Sequence, residues 1–233
     1  MNTSGKTART VGALFLISNV TFILGAIVLV ESILGAPDYL TLVSANRAQV
    51  ILGVLLELIN GIAYVGIAVL MFPVFKQRHE SLALGYVGFR VIEFIMQIAS
   101  DLSPLALLTL SEEFVSAGAP ASSAFQAVGA SWLAERFWAF QMLSLIFGLG
   151  ALMFYYMLYQ LKLIPRFISV WGLIGATAVL ANTVLEMFEL SLSPGIGLVL
   201  GLPMLLNELF LGVWLIVKGF NSTAIASGSA EQA

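Results

Sequence analysis

Residues 49–74 read QVILGVLLELINGIAYVGIAVLMFPV, and Glu57 is the single charged residue in this stretch. A helix needs about 20 mostly apolar residues to cross the hydrocarbon core of a bilayer, and this stretch exceeds that length. The whole chain has the same character, because 60% of its 233 residues are hydrophobic and 10% are charged. So few polar side chains cannot cover a surface that faces water. The sequence therefore predicts an integral membrane protein.

Six apolar stretches of sufficient length follow one another along the chain. They are the predicted spans, at residues 10–33, 49–74, 82–110, 134–160, 167–190 and 196–218. The predicted fold is an all-α bundle of six transmembrane helices, with one domain over residues 1–220 and a short disordered tail over 221–233. The longest predicted loop is 111–133, and its second half has helical spacing, which is typical of an interfacial helix or of a lid.

The lysines and arginines predict the orientation of this bundle. Seven of them fall on one predicted side: Lys6, Arg9, Lys76, Arg78, Lys162, Arg166 and Lys218. Arg47 is the main basic residue on the other side. Short loops rich in lysine and arginine stay in the cytoplasm, so both the N-terminus and the C-terminus are predicted to be cytoplasmic.

Several classes of function are excluded or disfavoured by the composition. The chain has no cysteine and one histidine, which excludes thiolate metal sites and makes histidine-based metal sites unexpected, so no metal or other cofactor is predicted. No basic patch indicates nucleic acid. No motif of a metalloprotease, a phosphate-binding loop or a nucleophile elbow is present, which disfavours an enzyme. The predicted partners are the lipid bilayer and a small ligand, a proton or a cation, and the oligomeric state is not predicted.

Polar side chains inside the predicted spans are the candidates for function. A charged side chain at the bilayer centre costs about 2.5–3.5 kcal/mol on insertion scales, so it is kept only where it is paired or faces a wet cavity. In the third span, Arg90, Glu93, Gln97 and Asp101 are spaced by three, four and four residues and therefore share one stripe. The other members of this predicted polar seam are Glu57, Asn60, Asn207 and Glu208.

Acidic side chains outnumber basic ones at the level of the membrane. The acids are Glu57, Glu93, Asp101, Glu135, Glu186 and Glu208, and the bases are Arg90 and Arg136. Acids exceed bases by four (six minus two), so complete pairing within this set is impossible. Some carboxyls are therefore expected to be protonated or exposed to water, and such carboxyls can relay protons or bind cations.

Three short motifs, in order along the chain, resemble a known family. The motifs are Phe89-Arg90-Val91-Ile92-Glu93, then Ile164-Pro165-Arg166 with Ser169 and Trp171-Gly172, then Asn207-Glu208 with Trp214-Leu215-Ile216-Val217-Lys218-Gly219. Together with the spacing of the spans, they make residues 8–220 similar to the bacterial membrane family called domain of unknown function 4386. The resemblance implies a multi-pass protein of the bacterial cytoplasmic (inner) membrane and draws attention to Arg90, Glu93 and Glu208. It implies no substrate.

Three hypotheses for the function stay open at this point. The first is a small-molecule or ion/proton-coupled transporter with an outward-facing cavity between spans two, three, five and six. In it, Glu93 and Glu208 are the proton or cation sites, Arg90 is their counter-ion, and Glu57 and Asp101 form an outer relay. The second is a non-catalytic accessory membrane protein whose polar network is structural. The third is an intramembrane enzyme acting on a lipid. A cavity that reaches Glu93 or Glu208 favours the first, and a fully paired network favours the second.

Overall fold

The computed structural model describes residues 3–119, 123–190 and 196–221, and all regular secondary structure in these ranges is helical. The elements are α1 (Thr3–Phe22), a π-helical segment (Ile23–Glu31), α2 (Ser32–Leu34), α3 (Tyr39–Ala45), α4 (Arg47–Phe75), α5 (Glu80–Ser116), α6 (Ser123–Leu161), α7 (Arg166–Met187) and α8 (Ile196–Val217). Six helical stretches in the described ranges are long and apolar enough to cross a membrane, and the first combines α1, the π-helical segment and α2. The predicted all-α fold with six spans is confirmed. Below, the near side is the side where α1 begins and α8 ends, and the far side is the opposite one.

The third and fourth spans extend well beyond their predicted ends on the far side. The prediction of a long loop at 111–133 was wrong, because α5 continues to Ser116 and α6 begins at Ser123. These extra turns pack against each other, with the rings of Phe114 and Phe125 5.6 Å apart. Hydropathy detects the lipid-embedded part of a helix and misses polar turns beyond it. The segment from 123 to 133 is therefore the first part of α6 and not a separate interfacial helix.

Some predicted features lie outside the described residues. They are residues 120–122 of the predicted loop, the connection at 191–195 between the last two predicted spans and all but the first residue of the tail predicted at 221–233. Asn221 is described, and its backbone N–H donates a hydrogen bond of 2.8 Å to the carbonyl of Leu163. The end of the described chain is thereby tied to the connection between α6 and α7.

The six spans form a closed ring in the order of the sequence. Each span packs against the next, and α8 returns to pack against α1. Large apolar side chains such as Ile62, Leu84 and Ile174 are exposed around the outside of the ring, whereas charged side chains such as Arg90 and Glu208 are buried inside it. This distribution is the one that lipid requires, since apolar groups face it at no cost and charged groups do not.

The near half of the ring is filled by aromatic and aliphatic side chains. The ring of Phe154 lies 5.5 Å from that of Phe15, 5.7 Å from that of Phe75 and 5.4 Å from that of Tyr86. These four residues come from four different spans and belong to one buried cluster. The cluster closes the interior of the ring on the near side.

The far ends of the first three spans are covered by the short helix α3. Val43 of α3 is buried together with Val30, Val50 and Leu107 in a second apolar cluster. The hydroxyl of Ser111 donates a hydrogen bond to the carbonyl of Leu40, which fixes α3 on α5. This covering leaves the space beside α6, α7 and α8 as the part of the far-side interior where a cavity can form.

Two pairs of glycines direct the path of the first span. A Cβ on Gly12 would lie 2.6 Å from the carbonyl oxygen of Gly212 in α8, and a Cβ on Gly25 would lie 2.8 Å from the carbonyl oxygen of Gly53 in α4. Small residues allow such backbone contact between membrane helices. The near half of span one therefore packs on α8, whereas the π-helical segment packs mainly along α4. The contacts between the first and sixth spans are thus concentrated on the near side.

Candidate functional site

A cavity of about 410 Å³ occupies the middle and far part of the ring. All six spans contribute to its wall. The lining side chains with polar groups are Asn19, Asn60, Tyr64, Glu93, Gln97, Ser144, Asn182, Thr183, Glu186 and Glu208, and the large apolar ones include Phe22, Phe140, Leu143, Phe147, Val179, Met204 and Leu205. This combination of apolar walls with a few converging polar groups is typical of a small-molecule site.

Glu208 lies at the deep end of the cavity and is 3% exposed. Its Oε2 atom accepts hydrogen bonds from the hydroxyl of Tyr64 at 2.6 Å and from the amide of Asn19 at 3.3 Å. Its Oε1 atom has no hydrogen-bond partner among the described residues. Nearly all buried polar groups in proteins are hydrogen-bonded, so an exception needs a physical reason. Here the free oxygen is itself buried, and it belongs to a residue that lines the cavity.

Glu93 also lines the cavity, and its charge is balanced from behind the wall by Arg90. The Nη1 atom of Arg90 lies 2.6 Å from the Oε2 atom of Glu93. The guanidinium of Arg90 also stacks over three rings, with centroids at 4.5 Å for Tyr64, 5.1 Å for Phe147 and 5.4 Å for Tyr86. Such cation–π contacts stabilise a desolvated arginine. Arg90 is itself only 1% exposed and does not line the cavity.

Glu186 lies in the far part of the cavity. Its two carboxylate oxygens accept hydrogen bonds of 3.0 Å from the amides of Gln141 and Asn182. A Cβ on Gly197 would lie 2.8 Å from the Oε1 atom of Glu186, so α8 passes close to this carboxylate. Glu186 has no lysine or arginine within ion-pair distance in the part of the chain that the structure describes.

A second polar cluster surrounds Arg136, in the far part of α6. Its guanidinium donates to Glu57 at 3.0 Å and to Glu31 at 2.8 Å, and it lies 3.7 Å from the Oδ1 atom of Asp101. Arg136 thus joins the first, second, third and fourth spans. The amide of Gln97 donates to Glu57 at 2.9 Å and to Asp101 at 3.1 Å. Because Gln97 also lines the cavity, it connects the Arg136 cluster with the cavity wall.

The residues of the predicted polar seam therefore lie in two clusters and not in one. Glu93, Gln97, Asn60 and Glu208 line the cavity, whereas Glu57 and Asp101 are partners of Arg136. The amide of Asn60 donates to the carbonyl of Ser18 at 2.9 Å, which ties α4 to α1.

Asn207, the last member of the predicted seam, points elsewhere. It does not line the cavity, and its amide donates to the carbonyl of Ile168 at 3.0 Å, which ties α8 to α7. Successive residues of a helix point about 100° apart, so Asn207 and its neighbour Glu208 serve different contacts.

Two features of the site are absent from the sequence prediction. The predicted cavity lies between spans two, three, five and six, whereas the observed one also has walls from spans one and four, at Phe22 and Phe140. Glu31 is not among the acids predicted at the membrane level, yet it forms an ion pair with Arg136. The sequence did contain a signal for this pair. Glu31 and Arg136 both lie near the far end of their predicted spans and therefore at a similar depth in the membrane.

The family assignment rests on nearly the whole length of the chain. A sequence model of the family described as domain of unknown function (DUF4386) matches residues 10–219. The chain belongs to the DUF4386 family. No curated protein and no solved structure matches it. The predicted resemblance is confirmed, and with the six apolar helices it makes this DUF4386 member a multi-pass integral membrane protein of a family of unknown function. In the described ranges of this DUF4386 chain, no group of three histidine or acidic side chains is arranged to hold a metal ion.

Proposed function

We propose that this protein is a proton- or cation-coupled carrier that binds a small ligand in the far-side cavity, with Glu208 as the coupling site. The observation that carries the proposal is the free Oε1 atom of Glu208, a buried carboxylate in the wall of a cavity of about 410 Å³. A carboxyl that binds a proton in one state and a ligand or cation in another couples the two events. Asn19 and Tyr64 hold its other oxygen in place.

The packing of the two halves of the ring supports transport over simple binding. The near half is filled by the cluster around Phe154, whereas the cavity occupies the middle and the far half. A carrier must close its site on one side while it is open on the other. Transport to the near side would require the aromatic cluster to rearrange, which is a defined structural change that an alternating mechanism needs.

The second candidate function, a structural one, fits the Arg136 cluster. Arg136 has three acidic neighbours from other spans, and buried ion pairs of this kind fix how helices pack. A structural function does not account for Glu208, which has an oxygen without a hydrogen-bond partner among the described residues and lines the cavity. We therefore assign packing to the Arg136 cluster and ligand coupling to Glu208.

The orientation and location of the carrier are part of the proposal. The connections on the near side carry Lys76, Arg78, Lys162 and Arg166, which by the positive-inside rule places the near side in the cytoplasm. The far-side cavity then faces away from the cytoplasm. In a bacterial cell, the protein would lie in the inner membrane and take up its ligand from the outer leaflet or the periplasm.

Glu208→Gln in proteoliposomes tests the proposal. Vesicles containing a trapped pH-sensitive dye would receive a defined mixture of amino acids, amines, sugars and carboxylic acids under an imposed membrane potential. We expect the wild-type protein to move protons when the mixture is added and Glu208→Gln to lose this response, because the amide cannot exchange a proton.

The control is Glu113→Gln, which makes the same chemical change at an exposed far-side residue outside the cavity. This variant should respond like the wild type. An inert wild-type protein, or a Glu208→Gln variant with full proton movement and normal folding, would remove Glu208 and the carrier mechanism.

A further inference from the structure

The cavity opens sideways toward the bilayer. Ile27 of the π-helical segment and Leu202 of α8 both line the cavity, yet they are 51% and 37% exposed. Side chains that are both in a cavity wall and exposed lie at an opening. We place the opening between the π-helical segment and α8, because the contacts between the first and sixth spans come mainly from α1. We call this opening, bordered by Ile27, Gly201 and Leu202, the lateral portal.

One edge of the lateral portal is irregular in a way that helices rarely are. The π-helical segment spans nine residues, Ile23–Glu31, whereas π-helical geometry is usually confined to a single turn and is frequent at functional sites. On the opposite edge, a Cβ on Gly201 would have no atom within 4 Å. The portal is therefore open space flanked by a π-helical edge, and it lies in the far half of the membrane-spanning region.

The charges in the cavity wall favour a positively charged ligand. Glu93, Glu186 and Glu208 line the cavity, and no lysine or arginine is among the described lining residues. Arg90 lies behind the wall and balances Glu93. Glu186 and Glu208 have no basic partner within ion-pair distance among the described residues. A cation in the cavity would complement both carboxylates.

The rest of the wall favours an apolar body on that cation. Phe22 and Phe140 stack with centroids 6.4 Å apart, and both line the cavity together with Phe147. Aromatic faces attract an ammonium group and also pack against apolar groups. A cavity of about 410 Å³ is large enough for a molecule with one aromatic ring and a short chain.

We infer that the ligand is an amphiphilic amine that partitions into the bilayer and enters through the lateral portal, with its ammonium on Glu208 and its apolar part against the phenylalanines. The inference rests on the proposed carrier function, since it names the ligand class of the same cavity. An amine of this kind concentrates in the membrane with its charged group near the interface. Such an amine could enter the cavity directly from the bilayer through a portal in the far half of the membrane, without first passing through water.

Equilibrium binding tests the ligand class independently of transport. Radiolabelled 4-phenylbutylamine, 4-phenylbutanol and 4-phenylbutyrate have similar size and differ in charge. Binding to the protein in lipid nanodiscs, corrected with empty nanodiscs, should favour the amine over the alcohol by tenfold or more, on the order expected for hydrogen bonds to a charged group. Glu208→Gln should remove this preference and leave binding of the alcohol unchanged. Equal binding of the amine and the alcohol, or tighter binding of the carboxylate, would overturn the inference.

The portal is tested by blocking it after folding. Because the chain has no cysteine, Gly201→Cys provides a single thiol at the portal, which a bulky maleimide can modify in the purified protein. Modification should slow the association of 4-phenylbutylamine by about tenfold or more, since its route is obstructed. Gly88→Cys is the matched control, because Gly88 is exposed, has open space around it as Gly201 does, and does not line the cavity. An association rate unaffected by modification at residue 201 would rule out lateral entry.

The outcomes separate the inference from the function it rests on. Selective binding of the amine without proton movement would leave the ligand class standing and reject the carrier. Proton movement driven by other members of the mixture, without selective binding of the amine, would keep the carrier and reject the ligand class.

Discussion

Two buried arginines neutralise two different groups of acids inside the ring. Arg90 is paired with one carboxylate, Glu93, and its remaining surface is covered by aromatic rings. Arg136 has three acidic neighbours and no aromatic ring among the recorded cation–π contacts of the described residues. Neither arginine reaches Glu208 with an ion pair, so the acid at the end of the cavity is left for a ligand or a proton.

The Arg90–Glu93 pair gives a prediction at the scale of single residues. Arg90→Met should lower the free energy of unfolding by about 3–5 kcal/mol, because it leaves the buried Glu93 without a counter-charge. The double variant Arg90→Met/Glu93→Met should recover most of this loss, since no isolated charge is left. Both changes in unfolding free energy can be measured by titrating the detergent-solubilised protein with dodecyl sulfate. Circular dichroism follows the loss of helix during the titration. If the double variant is as unstable as the single one, the pair is not the reason that Arg90 stabilises the fold.

At the scale of one helical element, the first span has two different neighbours along its length. Gly12 lets its near half contact α8, and Gly25 lets its π-helical segment contact α4. Hydrogen bonds from side chains to its own backbone precede the π-helical segment, including those from Thr21 to Ile17 at 2.8 Å and from Asn19 to Phe15 at 2.8 Å. Such bonds compete with the regular helical pattern and often bend a helix. The change of neighbour opens the lateral portal.

Gly25→Ala provides the prediction for this element. The added methyl group would overlap with the backbone of α4 at Gly53, and overpacking of this kind costs about 1–3 kcal/mol in unfolding free energy. Gly88→Ala is the control, because its methyl group meets open space and should be neutral or stabilise the helix by up to about 1 kcal/mol. Dodecyl sulfate titration compares the two, and equal stability would mean that spans one and two are not in close backbone contact.

At the scale of the whole molecule, the ring places its polar groups inside and its apolar groups outside. Arg47 is the main basic residue on the far side. It forms an ion pair with Glu112, and both side chains are about half exposed there.

The topology of the whole chain can be tested with reporters. A green fluorescent protein fused to the last residue should fluoresce, and an alkaline phosphatase inserted after Gly118, between α5 and α6, should be active. The first reporter works only in the cytoplasm and the second only outside it, so this pair of results requires the near side to be cytoplasmic. The opposite pair would invert the orientation and turn the cavity toward the cytoplasm.

The sequence alone determined the all-α membrane fold, the six spans and the family. These features depend on the number of apolar residues between turns and on short motifs in order, both of which are local properties of the chain. The stripe from Arg90 to Asp101 also had to face the interior, since helical periodicity and the cost of charge in lipid allow no other placement. The extent of α5 and α6 escaped prediction because polar helical turns beyond the lipid have no hydropathy signal.

The tertiary structure decided how these polar residues divide. It placed Glu57 and Asp101 with Arg136 and left Glu208 at the end of a cavity, although the sequence shows all of them simply as charges within spans. The partner of a buried charge depends on which helices are adjacent and how each is rotated, and residues as distant as Asn19 and Glu208 meet only after packing. The lateral portal likewise exists only in the packed ring, because it is a gap between the first span and the last.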